Sequence, residues 1–248
     1  MKNDENRTIN TDRTAETGSK ERIGMRTTVA TVEQIEQDVK ALERREPQVA
    51  FLLKRLKRHH APTYRQSLLT AHYSLQLAQA LGFDGNECRV LYRTALLHDI
   101  GKLHVSRELL DSRHRLYQGD VWKLQEHPKH GADILAAMIA DGSVDGEAVL
   151  HHHENLDGTG YPFGLTWKAI SLNARIIRLA SNYTDMTDAQ TSLGLSHEEA
   201  LEELYAWSDV LFDADLVELM NHLFRERMRD EKRKGEIAYD VVKRNRKS

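Results

Sequence analysis

The stretch TYRQSLLTAHYSLQLAQALG, Thr63 to Gly82, constrains the fold of this chain more than any other. Its apolar residues recur at helical spacing and no proline interrupts them. It therefore reads as a long amphipathic helix, with Gly82 placed to end it. The same period runs through most of the chain. TVEQIEQDVKALERRE places Val32, Ile35, Val39 and Leu42 on one stripe. Pro47 suits the first turn of a second helix carrying Val49, Leu52, Leu53 and Leu56, and Pro62 resets the chain before the long helix. NECRVLYRTALLHDIG predicts a helix ending at Gly101. GDVWKLQEHPKHGADILAAMIA, GEAVLHHHEN and SLNARIIRLASNYTDMTD each read as helix or helix plus turn. SHEEALEELYAW opens with Ser196 three residues before Glu199, a capping box, and DADLVELMNHLFRERM follows. No strand pattern competes and only four prolines intervene, so the expected fold class is an all-α bundle.

The expected organisation is a disordered segment over residues 1–28, N-terminal helices over 29–60, one domain over 61–224 and a charged helix or tail over 225–248. That tail is rich in Arg and Lys. It reads as a solvated helix with a frayed end, the alternative being a contact with phosphate or a partner. The chain has 248 residues and is 40% hydrophobic, enough for one sizeable core. A net charge of −3 gives no global pull toward a nucleic acid polymer or an anionic membrane. Cys88 is the single cysteine, which excludes an intrachain disulfide and suits a reducing cytoplasm. No apolar run is long enough to span a bilayer, and the polar start is unlike a signal peptide.

The thirteen histidines are many for this length, and they cluster, which hints at a metal site. In LLHDIGK, His98 and Asp99 stand side by side at the end of an apolar helix. Such a pair serves either as a structural contact or as ligands for a borderline-hard divalent metal. Lys102 follows one turn later, where it could face a phosphate. In EHPKHG, His127 precedes Pro128, where the chain is biased away from helix. In HHHENLDGTGYP, His152 and His153 cannot share one helical face, but at a helix end adjacent side chains can converge. His151 points elsewhere in this reading, and Glu154 is the expected acceptor that orients an imidazole. Asp157-Gly158 and Gly160 allow tight turns before Tyr161 and Pro162.

The segments LLHDIGK, EHPKHGADIL, HHENLDGTGYPFGL and ISLNARIIRLA, in this order, resemble the HD-GYP family over roughly Thr63 to Phe224. The resemblance implies an all-α HD-domain phosphohydrolase that hydrolyses cyclic di-GMP with more than one divalent metal. Iron or manganese leads, with zinc, cobalt or nickel as alternatives. It implies His98, Asp99, His127, His152 and His153 as metal ligands, with Lys102 and Asp99 in catalysis. It also places Lys102, Gly160, Tyr161 and Gln190 at the substrate.

The chain departs from the family pattern at three places. Aligning through ALGF puts Gln66 where the family has a histidine ligand. Using His72 instead would turn the helix by about 240° at ~100° per residue. A glutamate that some members use for a further metal falls at Pro62. Ser181 stands where an aspartate ligand belongs, and Asp185 follows one turn later. Gln190 stands near a phosphate-binding arginine. Gln66 and Ser181 both remove ligands from one metal position, whereas Asp99, His127, His152 and His153 belong largely to its neighbour. The expectation is one retained metal site and weak or lost hydrolysis. The alternatives are a non-catalytic module binding a nucleotide or protein partner, and a phosphohydrolase of another phosphate ester.

Overall fold

The computed structural model describes residues 45–112, 116–189 and 194–245, with positions 35, 37 and 40. The expected disordered segment and Gln190 lie outside these residues, as do Val32, Val39 and Leu42; Ile35 is helical and buried. Helix α1, Pro47–His59, has Pro47 in its first turn and buries Val49, Leu52, Leu53 and Leu56. Helix α2, Ala61–Ala80, begins before Pro62, which occupies the first turn, where its missing N–H is not needed. The His60 ring caps α2 by accepting from the Thr63 N–H. Gly82 closes it with a φ of +81°, a conformation that favours glycine. Helix α3, Gly85–Leu97, starts in a capping box formed by Asp84 and Glu87. The cap that Ser196 and Glu199 were expected to form is also present, at the start of helix α10, His197–Ala206.

Helix α2 lies between α3 and the later helix α9, Leu172–Thr187, and this trio forms the centre of the bundle. Leu68, Ala71 and Leu77 of α2 are inaccessible to solvent, as are Leu91, Ala95 and Leu96 of α3 and Ile176, Ile177 and Leu179 of α9. Each fully buried leucine or isoleucine contributes roughly 1.5–3 kcal/mol, which makes this core the main driving force.

Between α3 and α9 the chain changes from long helices to short ones. A 3-10 helix, Ile100–His104, is followed by α4, Arg107–Leu110, and α5, Gln118–Gln125. Then come α6, His127–Ile134, α7, Ala136–Ala140, and α8, Gly146–His151. Two expectations are corrected here. Helix α3 stops at Leu97 rather than Gly101, because the turn that follows presses against α6. A Cβ on Gly101 would stand 1.9 Å from the His127 carbonyl oxygen and 2.5 Å from the Gly131 nitrogen. His127 is the first residue of α6 despite preceding Pro128, which is accommodated in the first helical turn.

Helix α11, Ala214–Asn245, is continuous across the expected boundary at residue 225. It buries Phe224 and also Arg227, whose Nη2 donates to Gln76 Oε1 at 2.7 Å and ties α11 to α2. Part of the charged segment is therefore core, since a long guanidinium stem can be buried when its head finds an acceptor. Among the described residues there is no strand, and no helix is long and apolar enough to cross a membrane.

Candidate metal centre

The break after α3 carries His98 and Asp99, α6 opens on His127, and the chain beyond the end of α8 carries His152 and His153. Gly101 brings the first two of these segments together. Its lack of a side chain lets the Asp99 turn rest on the backbone of His127. One ligating atom from each of Asp99, His127, His152 and His153 lies within 4.8 Å of the others. The four residues expected to form the retained site are thus gathered at one point. His151 is not among them, and its ring stands edge-on to Phe163.

The tautomers follow from the backbone. His127 Nδ1 donates to Leu124 O at 2.6 Å, and His152 Nδ1 donates to Val149 O at 2.7 Å. A carbonyl can only accept, so the proton sits on Nδ1 and each Nε2 presents a lone pair. These two Nε2 atoms are 3.1 Å apart, and they lie 3.1 and 3.7 Å from Asp99 Oδ1. Asp99 Oδ1 and His153 Nε2 are both buried without a hydrogen-bond partner. Acceptors that converge with no hydrogen between them repel one another unless a cation lies among them. The donor set fits a divalent ion: one hard carboxylate and three imidazoles suit iron, manganese or zinc.

The other oxygen of Asp99 has different company. Lys102 Nζ donates to Oδ2 at 2.7 Å, and His98 Nε2 lies 3.6 Å from it. The Nδ1 of His98 donates to Ala95 O at 2.8 Å. Burial alone would raise the Asp99 carboxyl, but the Lys102 ammonium beside it holds it well below the usual carboxylate range. Burial pushes His98 and His152 down to about 4, and it lowers His127 and His153 as well. Near neutral pH the cluster is therefore one carboxylate among neutral imidazoles, the protonation state a metal needs.

Within electrostatic reach of Lys102 and Asp99, Gln66 and Asp185 meet. Gln66 Nε2 donates to Asp185 Oδ1, joining α2 to α9, and burial pushes the Asp185 carboxyl up to about 6. Ser181 is one turn earlier on α9 and half-buried. His72 lies elsewhere, accepting from Gln76, and Asp185 bonds Gln66 rather than joining the four-residue cluster.

Glu154 requires a correction. It orients no imidazole; its two carboxylate oxygens accept from the Phe163 and Leu165 N–H groups at 2.7 and 2.9 Å. It therefore pins the loop that follows, while backbone carbonyls orient the histidines, a pattern that depends on helix ends and is not visible in a motif. Gly160 sits against residues 153–155, where a Cβ would be 2.4 Å from the Asn155 nitrogen. That close approach lets the Tyr161 N–H donate to His153 O at 3.2 Å and stacks the Tyr161 ring on His153 with centroids 4.5 Å apart. The loop thus covers one ligand of the cluster. Burial raises the Tyr161 phenol, which keeps its O–H proton.

Fold and centre together define an all-α helical bundle with a candidate metal centre. More particularly, the chain belongs to the HD domain family, which matches residues 39–216, and its motifs and relatives place it with the HD-GYP type. It is 31% identical over 188 residues to a cyclic di-GMP phosphodiesterase of Pseudomonas aeruginosa, covering 75% of this chain and 45% of that protein. It is 37% identical over 132 residues to 3'3'-cGAMP-specific phosphodiesterase 1 of Vibrio cholerae, covering 53% of this chain and 30% of that one. The chain thus spans less than half the length of these curated relatives. Among solved structures, an HDG"Y"P protein of Bdellovibrio bacteriovorus aligns with a TM-score of 0.55 at 21% identity, covering 79% of this chain and 65% of that one. A cyclic GMP-AMP phosphodiesterase of V. cholerae aligns with a TM-score of 0.53 at 20% identity, over 70% and 47% of the two chains. Both structural likenesses establish the fold.

Proposed function

We propose that the chain holds one divalent cation on Asp99, His127, His152 and His153, iron or manganese ahead of zinc, cobalt or nickel. In this reading it binds a cyclic dinucleotide, cyclic di-GMP first, and hydrolyses it slowly. The observation that carries the reading is the division at Asp99. Oδ1 faces converging lone pairs, while Oδ2 is already neutralised by Lys102. A divalent cation at this centre supplies Lewis-acid polarisation of a phosphoryl oxygen.

The protein's own groups supply the rest. Asp99 stays ionised and, with the Nδ1–H tautomers held by Leu124 and Val149, keeps the ligating atoms in place. Tyr161 shields His153 from water and offers a phenolic proton at the mouth. Lys102 places a positive charge beside Asp99. The Gln66–Asp185 hydrogen bond supports slow turnover, because it ties together the helices from which a second cation would draw its ligands. The same bond favours the second reading, a regulator that binds nucleotide without cleaving it.

The test is metal analysis of protein grown with iron and manganese, followed by chromatography of cyclic di-GMP and 3'3'-cGAMP digests. About one metal per chain and weak linearisation of a cyclic dinucleotide are expected. No metal at all would remove the centre from the argument. Binding without product would select the regulator.

A further inference from the structure

Arg178 is a charged side chain at the centre that neither the motifs nor the family pattern pointed to. It lies on α9 three residues before Ser181 and seven before Asp185, so the three share one face of that helix. Its guanidinium is within electrostatic reach of His153, Tyr161 and Asp185. It therefore stands at the covered edge of the metal cluster rather than on the outer surface.

Its bonding differs from that of three other part-buried arginines, although Arg227 on α11 likewise donates to a neutral amide oxygen, that of Gln76. Arg65 pairs with Asp188 at 2.7 Å, Arg93 pairs with Glu46 at 2.6 Å, and Arg175 pairs with Asp213. Arg178 Nη2 instead donates to the neutral side-chain oxygen of Asn155 at 2.7 Å. Its Nε is buried without a hydrogen-bond partner, and its guanidinium lies 5.6 Å from the centroid of the Phe212 ring. Among the described residues no carboxylate is within ion-pairing distance of it. Holding a guanidinium in this way costs free energy unless an anion completes it. An arginine fork matches the oxygens of a phosphoryl group. Asn155 adjoins Glu154, so the bond to it aims Arg178 from the loop that covers the centre.

We infer that Arg178 is a phosphate-binding residue of this site, gripping a phosphoryl group of the ligand at the mouth between Tyr161 and Asp185. It supplies there a cationic contact of the kind that Gln190, being uncharged, lacks. The inference rests on the reading above in taking the physiological ligand to be a phosphodiester, but the affinity of Arg178 for phosphate does not depend on which ester is bound.

The test uses the full chain with its metal bound. Calorimetry with cyclic di-GMP and with 3'3'-cGAMP is set beside competition by inorganic phosphate for the wild type, Arg178→Gln, Arg178→Lys and Asn155→Ala. Metal content and thermal melting are read in parallel. Arg178→Gln should weaken binding of dinucleotide and phosphate by about tenfold or more while leaving metal content unchanged. Arg178→Lys should recover part of that loss, and Asn155→Ala should lose less than Arg178→Gln, because the charge remains. If Asn155→Ala and Arg178→Gln fall equally, Arg178 is only a tether for the loop and the inference is overturned. If the wild type binds dinucleotide and Arg178→Gln binds it as well, the inference fails while the proposed function stands. If no dinucleotide binds but phosphate binds through Arg178, the proposed ligand is wrong and the inference holds. Should Arg178→Gln fail to fold, Arg178→Lys decides: unchanged affinity for phosphate at two salt concentrations overturns it.

Discussion

The two oxygens of Asp99 face opposite kinds of chemistry. On the Oδ1 side, the Nε2 atoms of His127 and His152 converge with His153, and the acceptors have no proton to share. On the Oδ2 side Lys102 donates directly, and within its electrostatic reach Gln66 donates to Asp185. One side is electron-rich and calls for a cation, whereas the other has been closed with hydrogen bonds from within the chain. The difference is that Asp99 Oδ2 already has a cationic partner in Lys102, whereas Oδ1 has no hydrogen-bond partner. Asp185 meets the neutral Gln66 amide, and burial still raises its carboxyl to about 6, so it retains part of the desolvation penalty of a buried carboxylate.

The comparison can be broken most completely at Asp99, which belongs to both sides. Asp99→Asn should abolish metal retention, from about one equivalent to a trace in elemental analysis, and remove any hydrolysis with it. Retention of a full equivalent would mean that the imidazoles alone hold the ion.

Next in size is the conversion of the Oδ2 side back to ligands. Gln66→His together with Ser181→Asp should raise the metal content from about one toward two, and turnover by roughly tenfold or more. The gain should exceed the sum of the single changes, because both ligands would serve one ion. Strictly additive gains would show that the positions act separately.

The architecture that brings the two sides together can be tested at Gly101. Gly101→Ala drives a methyl group into the His127 carbonyl, 1.9 Å from the ideal Cβ position, and should destabilise the chain by about 3 kcal/mol. Thermal melting would check this, and metal content should fall as His127 moves away from Asp99.

The smallest expected effect sharpens the comparison through pH. In metal-free protein, burial lowers His98 and His152 from 6.5 to about 4. Their contribution to stability is therefore complete above pH 6.5 and lost as the pH falls through about 4. Burial raises Asp185 from 3.8 to about 6, so its contribution is complete below pH 3.8 and lost as the pH rises through about 6. Asp185→Asn should therefore stabilise the metal-free chain by about 1–3 kcal/mol near neutral pH, and by progressively less on acidification. Denaturant titrations across that range measure it. A benefit that does not shrink in acid would show that Asp185 ionises normally.

Much of this was legible in the residues themselves. The helical periods, Pro47 in a first turn, Gly82 at a helix end and the Ser196–Glu199 cap are local features, set within a few residues by backbone sterics and hydrogen bonding. The grouping of Asp99, His127, His152 and His153 was also within reach, through the resemblance of LLHDIGK, EHPKHGADIL and HHENLDGTGYPFGL to the HD-GYP family. Arg178 was not, since an arginine inside a helical motif looks like solvated surface until the packing of α9 is known.

The sequence by itself therefore determined an all-α chain, its caps and its stock of ligands, because those depend on neighbours a turn or two away. Tertiary structure alone decided which nitrogen of each imidazole is free, that Glu154 serves the loop, that Lys102 takes Asp99 Oδ2, and that Gln66 meets Asp185. The Gln66–Asp185 pair joins segments 119 residues apart, whereas the other pairings span 3 to 11 residues and turn on where the short helices end. Their partners are chosen by which acceptors and charges the packed core brings within hydrogen-bonding distance, a property of the folded bundle rather than of any one stretch of it.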